Sequence, residues 1–262
     1  MQFPTQIAAG FSLAAVIAAL AQRLRLLTAS GALAAAFVGG CVFGFGGWAA
    51  SAPLLVFFAT SNLLGRYKKA VKTARSMEKS GPRDAFQVLA NGAVASGLIV
   101  CYAVHEWRSP ILLVAFAASL AEANADTWAT EIGSAVRGKA WNILTLSPVT
   151  PGRSGGVTLP GTLAALGGSF AIALVSMPLF HARHAHATVC LVALSGFLGS
   201  LIDSIIGASL QAGYRNNKGE YAESEIEGYR HVRGIHFIGN NAVNAIGTAS
   251  AALIAMLLTL LS

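Results

Sequence analysis

Apolar stretches of about twenty residues follow one another along almost the whole sequence, with only short polar links between them. Only 11% of the 262 residues are charged, against about 25% in a typical soluble domain. The sequence therefore predicts an all-α, polytopic membrane helix bundle, with a single integral membrane domain over residues 1–262 and no soluble domain. Eight stretches have the length and hydropathy of membrane spans, near residues 4–22, 28–47, 49–65, 86–105, 109–136, 156–180, 188–211 and 234–261.

The second and third stretches are joined only by the segment FGGWAASAP at residues 45–53. This region forms either two full crossings or one bent or re-entrant segment, so the sequence predicts about eight spans and leaves seven possible.

Basic residues divide unequally between the two sides of such a bundle. With eight crossings, sixteen of the eighteen lysines and arginines fall on one side, and only Arg108 and Arg183 fall on the other. Basic loops remain in the cytoplasm. We therefore expect both termini outside, and we expect the basic side to face the cytoplasm.

Polar residues of several spans gather toward this basic side. Charged groups within a membrane are costly and usually face protein or water, so their convergence indicates a functional site. The predicted cluster comprises Asn91, Glu122, Asp126, Glu131, Asp203, Asn240 and Asn244.

The fifth stretch carries polar groups on two faces. At about 100° per residue, Glu122 and Asp126 lie about 40° apart, whereas Asn124 and Glu131 point nearly the opposite way. A helix that is polar on two faces cannot face lipid. It is therefore either central in the bundle or broken near Asp126.

Carboxylates beside asparagines and basic residues suggest a divalent cation that holds phosphate oxygens, and Mg²⁺ prefers one or two carboxylates with substrate phosphates and water. Alternatively, the acids pair with arginine or lysine and hold helices together. Gly155 and Gly156, in TPGRSGGVTLPG, either cradle a phosphate at a helix N-terminus or allow close helix packing.

Over most of its length the sequence resembles the integral membrane family that contains plant phytyl-phosphate kinase, and five ordered motifs carry this resemblance. It departs from the family pattern at Arg153-Ser154, where Thr-Asn is common, and at Asn240-Asn241, where Asn-Asp is common. The motifs are GRYKKAVK (65–72), GPRDAFQVLANG (81–92), AEANADTWATEIG (121–133), PGRSGGVTLPGT (151–162) and GSLIDSIIGASLQ (199–211).

The resemblance implies a kinase that transfers a phosphoryl group from CTP to an isoprenoid monophosphate, such as phytyl or geranylgeranyl phosphate, and so forms the diphosphate. Asp126 and Asp203 would hold Mg²⁺ together with Glu122, and Glu131 would assist catalysis. Asn91, Asn240 and Asn244 would bond phosphate oxygens or metal-bound water. The remaining residues expected to bind substrate or nucleotide are Lys69, Arg83, Gln87, Arg153, Ser154, Gly155 and Gly156.

The expected partners are the isoprenoid phosphate, a nucleoside triphosphate and the bilayer, with no nucleic acid. A cation- or proton-coupled transporter also places carboxylates within the membrane and is the main alternative. A lipid-binding scaffold would not need so many converging acids and amides. The prenyl length, the nucleotide, a monophosphate or alcohol acceptor and the oligomeric state remain open.

The predicted topology can be tested with single cysteines at positions 75, 106 and 184. A membrane-impermeant thiol reagent added to intact cells should label positions 106 and 184 but not position 75. The same reagent should label position 75 once the cells are permeabilised. Labelling of position 75 in intact cells would contradict this topology.

Overall fold

The computed structural model describes residues 3–71, 81–104, 109–135, 139–180 and 182–261 and confirms the helix bundle. Within these ranges the helices are α1 (Phe3–Arg23), α2 (Ala29–Val71), α3 (Ala85–Val104), α4 (Pro110–Ala135), α5 (Leu159–Val175), α6 (Ala185–Ser209) and α7 (Asn240–Leu261). By length and hydropathy, α1, α2, α3, α6 and α7 are long and apolar enough to cross a membrane. The other two are α4, which carries three carboxylates, and the shorter α5.

The long helix α2 reverses direction at Gly47, where φ is 65° and ψ is -159°. These angles lie far from helical values, and glycine reaches positive φ without steric cost. A straight helix would separate Gly31 from Ser61 by about 45 Å. Both residues nevertheless meet Arg83: its carbonyl abuts Gly31, and its guanidinium donates to the Ser61 hydroxyl. The two arms of α2, residues 29–46 and 48–71, therefore run antiparallel, and two full membrane crossings by these arms stay a prediction.

Helix α4 occupies the centre of the bundle, which is one of the two arrangements that its two-faced polarity allowed. Every residue from Leu113 to Ala125 is buried, and α4 contacts α2, α3, α5, α6 and α7. The helix continues unbroken through Asp126 to Ala135. Because neighbouring helices cover it on all sides, both of its polar faces meet protein.

Two small antiparallel sheets occupy the links around α5 and α6, where the sequence predicted only helices and loops. The first has the order β2-β1-β3, and the second has the order β5-β4-β6. The strands are β1 (Ala140–Asn142), β2 (Pro148–Val149), β3 (Gly156–Val157), β4 (Gly213–Arg215), β5 (Tyr221–Ala222) and β6 (Arg230–Arg233). Two short 3-10 turns, Met177–Leu179 and Ala182–His184, join α5 to α6.

The sheets shorten two of the predicted spans. Residues 156 and 157 belong to β3, and α5 begins only after Thr158, whose hydroxyl accepts the Gly161 N–H as a helix cap. Residues 234–239 precede α7, and Ile235 bridges back to Gln211. The spans predicted from hydropathy were too long at these ends, because the link residues are themselves partly apolar.

Asn124 joins three helices and gives a direct test of this arrangement. Its carbonyl oxygen accepts the Thr60 hydroxyl of α2 at 2.9 Å, and its amide donates to the Gly168 carbonyl of α5 at 2.8 Å. Asn124→Leu should lower the free energy of unfolding by about 1–2 kcal/mol because both partners lose their bonds. The measurement is denaturant unfolding in detergent.

Asn62→Leu provides the control, because the Asn62 amide bonds the Phe58 carbonyl of its own helix. This substitution should lower the free energy of unfolding clearly less than Asn124→Leu does. Equal losses would show that Asn124 contributes nothing by linking helices.

Candidate active site

Glu122 lies deep in the bundle, on the face of α4 that packs against α6 and α7. Its side chain is 1% exposed. A Cβ at Gly199 would fall 2.8 Å from Glu122 Cγ, and one at Gly247 would fall 2.5 Å from Glu122 Oε1. The glycines of both neighbouring helices therefore leave the space that this carboxylate fills.

Asp126 and Asp203 lie beside Glu122 and complete what we call the carboxylate cluster. Asp203, on α6, is also buried, and a Cβ at Gly247 would lie 3.2 Å from its Cβ. All three carboxylates are close enough to interact electrostatically with one another. The structure thus brings together the three side chains that the sequence proposed for Mg²⁺.

Several oxygens of the carboxylate cluster are buried without a hydrogen-bond partner. They are Oε1 and Oε2 of Glu122 and Oδ2 of Asp203. Burying a charged oxygen without a partner is costly, so these groups require a proton or a cation.

The chemistry of these donors fits Mg²⁺, which binds oxygen ligands. In the described part of the chain, however, no three His, Cys, Asp or Glu side chains already form a metal-binding group. A cation that takes one or two carboxylates and completes its shell with substrate phosphates and water suits this arrangement.

Glu131 and Arg83 connect the opposite face of α4 to the carboxylate cluster. Glu131 follows Asn124 by seven residues and so shares its face. It interacts electrostatically with both Asp126 and Arg83. Burial lowers the pKa of the Arg83 guanidinium, and the negative charge of Glu131 opposes that shift. Arg83 is therefore linked to the carboxylate cluster by electrostatic interactions, first with Glu131 and then from Glu131 to Asp126.

Arg83 is fixed by its backbone as well as its side chain. Its N–H donates to the Leu26 carbonyl, its carbonyl accepts the Thr28 N–H, and its guanidinium donates to Ser61 at 3.0 Å. These contacts hold the arginine between the start of α3 and both arms of α2.

A cavity of ≈ 220 Å³ lies between α1, both arms of α2 and α3, and we call it the α1–α3 cavity. Its walls are mainly apolar, but Arg83, Gln87 and Asn91 also line it. The Asp84 N–H and the Gln87 N–H each bond the other residue's side chain, which forms a capping box at the start of α3. The Asn91 amide donates to the Gln87 carbonyl. Each side-chain amide keeps further hydrogen-bonding capacity.

The loop of residues 152–156, which precedes α5 and contains Gly155 and Gly156, contacts the second sheet. The N–H and hydroxyl of Ser154 both donate to the Glu223 carboxylate, as does the Gln211 amide. The Arg153 guanidinium stacks 4.3 Å from the centre of the Tyr221 ring. The sequence did not single out Glu223, because it is one of four glutamates in the stretch GEYAESEIEG and nothing distinguishes it there.

Close packing explains Gly155 directly, since a Cβ there would fall 2.3 Å from Ala208 Cβ. Gly156 lies in β3, two residues before the Thr158 cap, so the loop does not itself begin the helix. Phosphate binding by Arg153, Ser154, Gly155 and Gly156 stays a prediction.

The remaining predicted residues lie at different distances from the cluster. Asn244 precedes Gly247 by three residues and lies on the side of α7 that faces Glu122. Asn240 is the first residue of α7 and is exposed. The side chain of Lys69 falls outside the described residues.

The packing of Glu122 can be tested through the glycine that contacts it. Gly247→Ala should lower the free energy of unfolding by about 1–3 kcal/mol, because its Cβ would collide with the carboxylate. Gly97→Ala is the control, since nothing lies within 4 Å of a Cβ there. Thermal unfolding in detergent measures both. A Gly247→Ala protein as stable as Gly97→Ala would contradict the contact.

Residues 12–252 match the family described as Integral membrane protein DUF92. Protein PGR of Arabidopsis thaliana is 31% identical over 224 residues, which cover 76% of this chain and 78% of that protein. An uncharacterized membrane protein of Methanocaldococcus jannaschii is 30% identical over 204 residues, or 78% of this chain and 83% of the relative. Protein VTE6, chloroplastic, of Arabidopsis thaliana is 28% identical over 238 residues, or 88% of this chain and 65% of that protein.

No solved structure matches the chain. The family match includes all five motifs and both helices that carry the carboxylate cluster. It confirms the family resemblance that those motifs indicated, and the chain belongs to the family Integral membrane protein DUF92.

Proposed function

We propose that this protein is a membrane kinase that transfers a phosphoryl group from CTP to an isoprenoid monophosphate and forms the diphosphate. The observation that carries the proposal is the carboxylate cluster, in which buried oxygens of Glu122 and Asp203 lack partners. Its Asp126 interacts electrostatically with Glu131, and Glu131 interacts with Arg83, which lines a mainly apolar cavity. An anionic group on an apolar chain suits such a site. The nature of the acceptor and the choice of CTP follow from the motif resemblance.

The reaction needs no general base from the protein. An anionic oxygen of the isoprenoid phosphate attacks the γ-phosphorus of CTP and forms a new P–O bond. The bond between the γ-phosphorus and the β–γ bridging oxygen breaks, and CDP leaves with that electron pair. The protein mainly positions the phosphates and compensates their charge.

Glu122, Asp126 and Asp203 would hold Mg²⁺, which when bound neutralises phosphate charge and orients the transferred group. Arg83 would bind the acceptor phosphate, because it lies between the α1–α3 cavity and Glu131. Arg153 and Lys69 would compensate nucleotide charge, and Asn91, Asn240 and Asn244 would donate to phosphate oxygens. The absence of a GxxxxGK[ST] motif from the sequence means that the nucleotide is not held by a loop of that type.

The site would face the cytoplasm, where nucleotide is available. This orientation follows from the distribution of lysine and arginine along the sequence, which places the start of α3 and the end of α4 on the basic side.

One observation favours a second candidate, a cation- or proton-coupled transporter. Glu122 lies midway along α4, and both of its carboxylate oxygens lack partners, as expected of a group that binds and releases an ion. Such a protein would move a solute in proteoliposomes and transfer no phosphoryl group.

The deciding experiment measures transfer of label from γ-labelled CTP to geranylgeranyl phosphate by purified protein with Mg²⁺ in detergent. We expect a labelled diphosphate with the unaltered protein. We expect the Asp126→Asn protein to form at least about a hundredfold less labelled diphosphate, because a cation ligand and its charge are lost. A chelator should stop the reaction, and added Mg²⁺ should restore it.

Asp84→Asn is the matched control. It removes the same charge, but asparagine caps a helix as well as aspartate does, so activity should stay within about twofold. Equal activity of the Asp126→Asn and unaltered proteins would overturn the role given to the cluster. No transfer from any nucleotide by folded protein would favour transport.

A further inference from the structure

We propose that the α1–α3 cavity holds the isoprenoid tail and that the residues at its far end limit the chain length. This inference rests on the proposed function, because it assigns a place to the apolar part of that substrate. It adds a tail site to the phosphate site and names residues that determine specificity.

The walls of the α1–α3 cavity suit a hydrocarbon. Leu13 and Ile17 of α1, Leu54 and Phe58 of α2 and Val88 of α3 all line it. The hydroxyl of Ser51, which also lines it, already donates to the Gly47 carbonyl. Burial of an apolar chain is favourable here, whereas a polar ligand would lose its hydration along these walls.

The polar end of the cavity is suited to an anion. Arg83, Gln87 and Asn91 all belong to the start of α3 or the turn before it, so they lie together at one end. Glu131 couples Arg83 electrostatically to the carboxylate cluster through Asp126. A phosphate bound at Arg83 would therefore lie on the side of the cavity nearest the proposed transfer site.

The size of the cavity favours a single chain. An apolar cavity of about 150 Å³ accommodates one benzene ring. A volume of ≈ 220 Å³ is larger by about half, so on the same scale it encloses about nine carbons, close to the two isoprene units of a geranyl chain. It does not suit the two acyl chains of a phospholipid, and a longer isoprenoid tail would have to displace residues at the far end. The walls and the arginine suit a single apolar chain with an anionic end, which on the proposed function is the isoprenoid phosphate.

The chain register along α1 gives the depth of the cavity. The polar end lies near Ala21, because Leu26 bonds both the Ala21 carbonyl and the Arg83 N–H. Leu13 is eight residues earlier in α1, or about 12 Å deeper at 1.5 Å per residue. Tail atoms that pass Leu13 therefore belong to the longer isoprenoids.

The far end lies near the reversal of α2. The rings of Phe43 and Trp48 pack edge to face with centroids 4.7 Å apart, and both residues line the cavity. Trp48 is 66% exposed, so this pair forms a wall between the cavity and the surroundings of the bundle. Phe43 and Trp48 thus end the space open to a tail.

The test compares Leu13→Trp with Leu20→Trp, an identical substitution on α1 at an exposed position outside the cavity. Activity is measured with geranyl phosphate, which has two isoprene units, and with geranylgeranyl phosphate, which has four. Leu13→Trp should raise KM for the longer substrate at least about tenfold. The KM for the shorter substrate should stay within about twofold of its value in the unaltered protein. Leu20→Trp should change neither.

A binding measurement separates this inference from the kinase itself. We expect geranylgeranyl phosphate to raise the Tm of the unaltered and Leu20→Trp proteins, and to raise that of Leu13→Trp less. A photoreactive group at the far end of the same ligand should label peptides around residues 10–17 or 43–48 of the unaltered protein. Because photolabelling uses the unaltered protein, it tests the tail site even if Leu13→Trp fails to fold.

The outcomes distinguish the two proposals. Kinase activity with no difference between Leu13→Trp and Leu20→Trp, or labelling confined to other helices, overturns the tail site alone. Binding and labelling as expected without phosphoryl transfer support the tail site and overturn the kinase. Equal stabilisation by phosphatidic acid overturns the choice of a single-chain occupant.

Discussion

Burial of carboxylates inside α4 is the constraint on which the rest of the bundle depends. A helix with Glu122 at 1% exposure in an apolar interior has to be covered completely, because lipid offers it no partner. Helices α6 and α7 achieve this cover through Gly199 and Gly247, whose missing side chains make room for the acid. Larger residues at these two positions would force the helices apart and open the centre of the bundle.

The two polar faces of α4 have different roles, and this difference organises the site. One face carries Glu122 and Asp126 toward α6 and α7. The other carries Asn124, which bonds both α2 and α5, and Glu131, which interacts electrostatically with Arg83. The second face therefore aligns α4 with the helices that form the cavity. Rigid placement of this kind is what phosphoryl transfer demands of a protein.

Much of the bundle could be predicted from the sequence because membrane spans are local features. The apolar stretches follow from hydropathy. The short link FGGWAASAP indicated either a second crossing or a bend, and helix periodicity indicated that α4 is either central or broken near Asp126. The convergence of Glu122 with Asp203 was inferred only from their similar depth, and packing around the glycines was needed to establish it. The pairing of Asp84 with Gln87 could have been found, since this spacing is typical of a capping box.

Other features could not be predicted, because they depend on contacts between distant residues. The six strands have two to four residues each, too few for a periodic pattern. Glu223 acquires its role only when the second sheet approaches Ser154. The α1–α3 cavity arises where small residues such as Ala14 and Ala18 face the arms of α2. In a sequence, small residues on a membrane helix indicate close packing rather than a void.

The buried carboxylates of Glu122 and Asp203 require a proton or a cation, because buried oxygens of both have no hydrogen-bond partner among the described residues. Glu122, Asp126 and Asp203 interact electrostatically with one another. Asp126 also interacts with Glu131, which in turn interacts with Arg83. Such a site repels phosphates until its charge is compensated. A cation that arrives with the nucleotide would meet this need. It would also explain why buried carboxylate oxygens of Glu122 and Asp203 have no hydrogen-bond partner, although no three acids already form a metal-binding group in the described residues. On the proposed function, substrate and cation thus complete the site together.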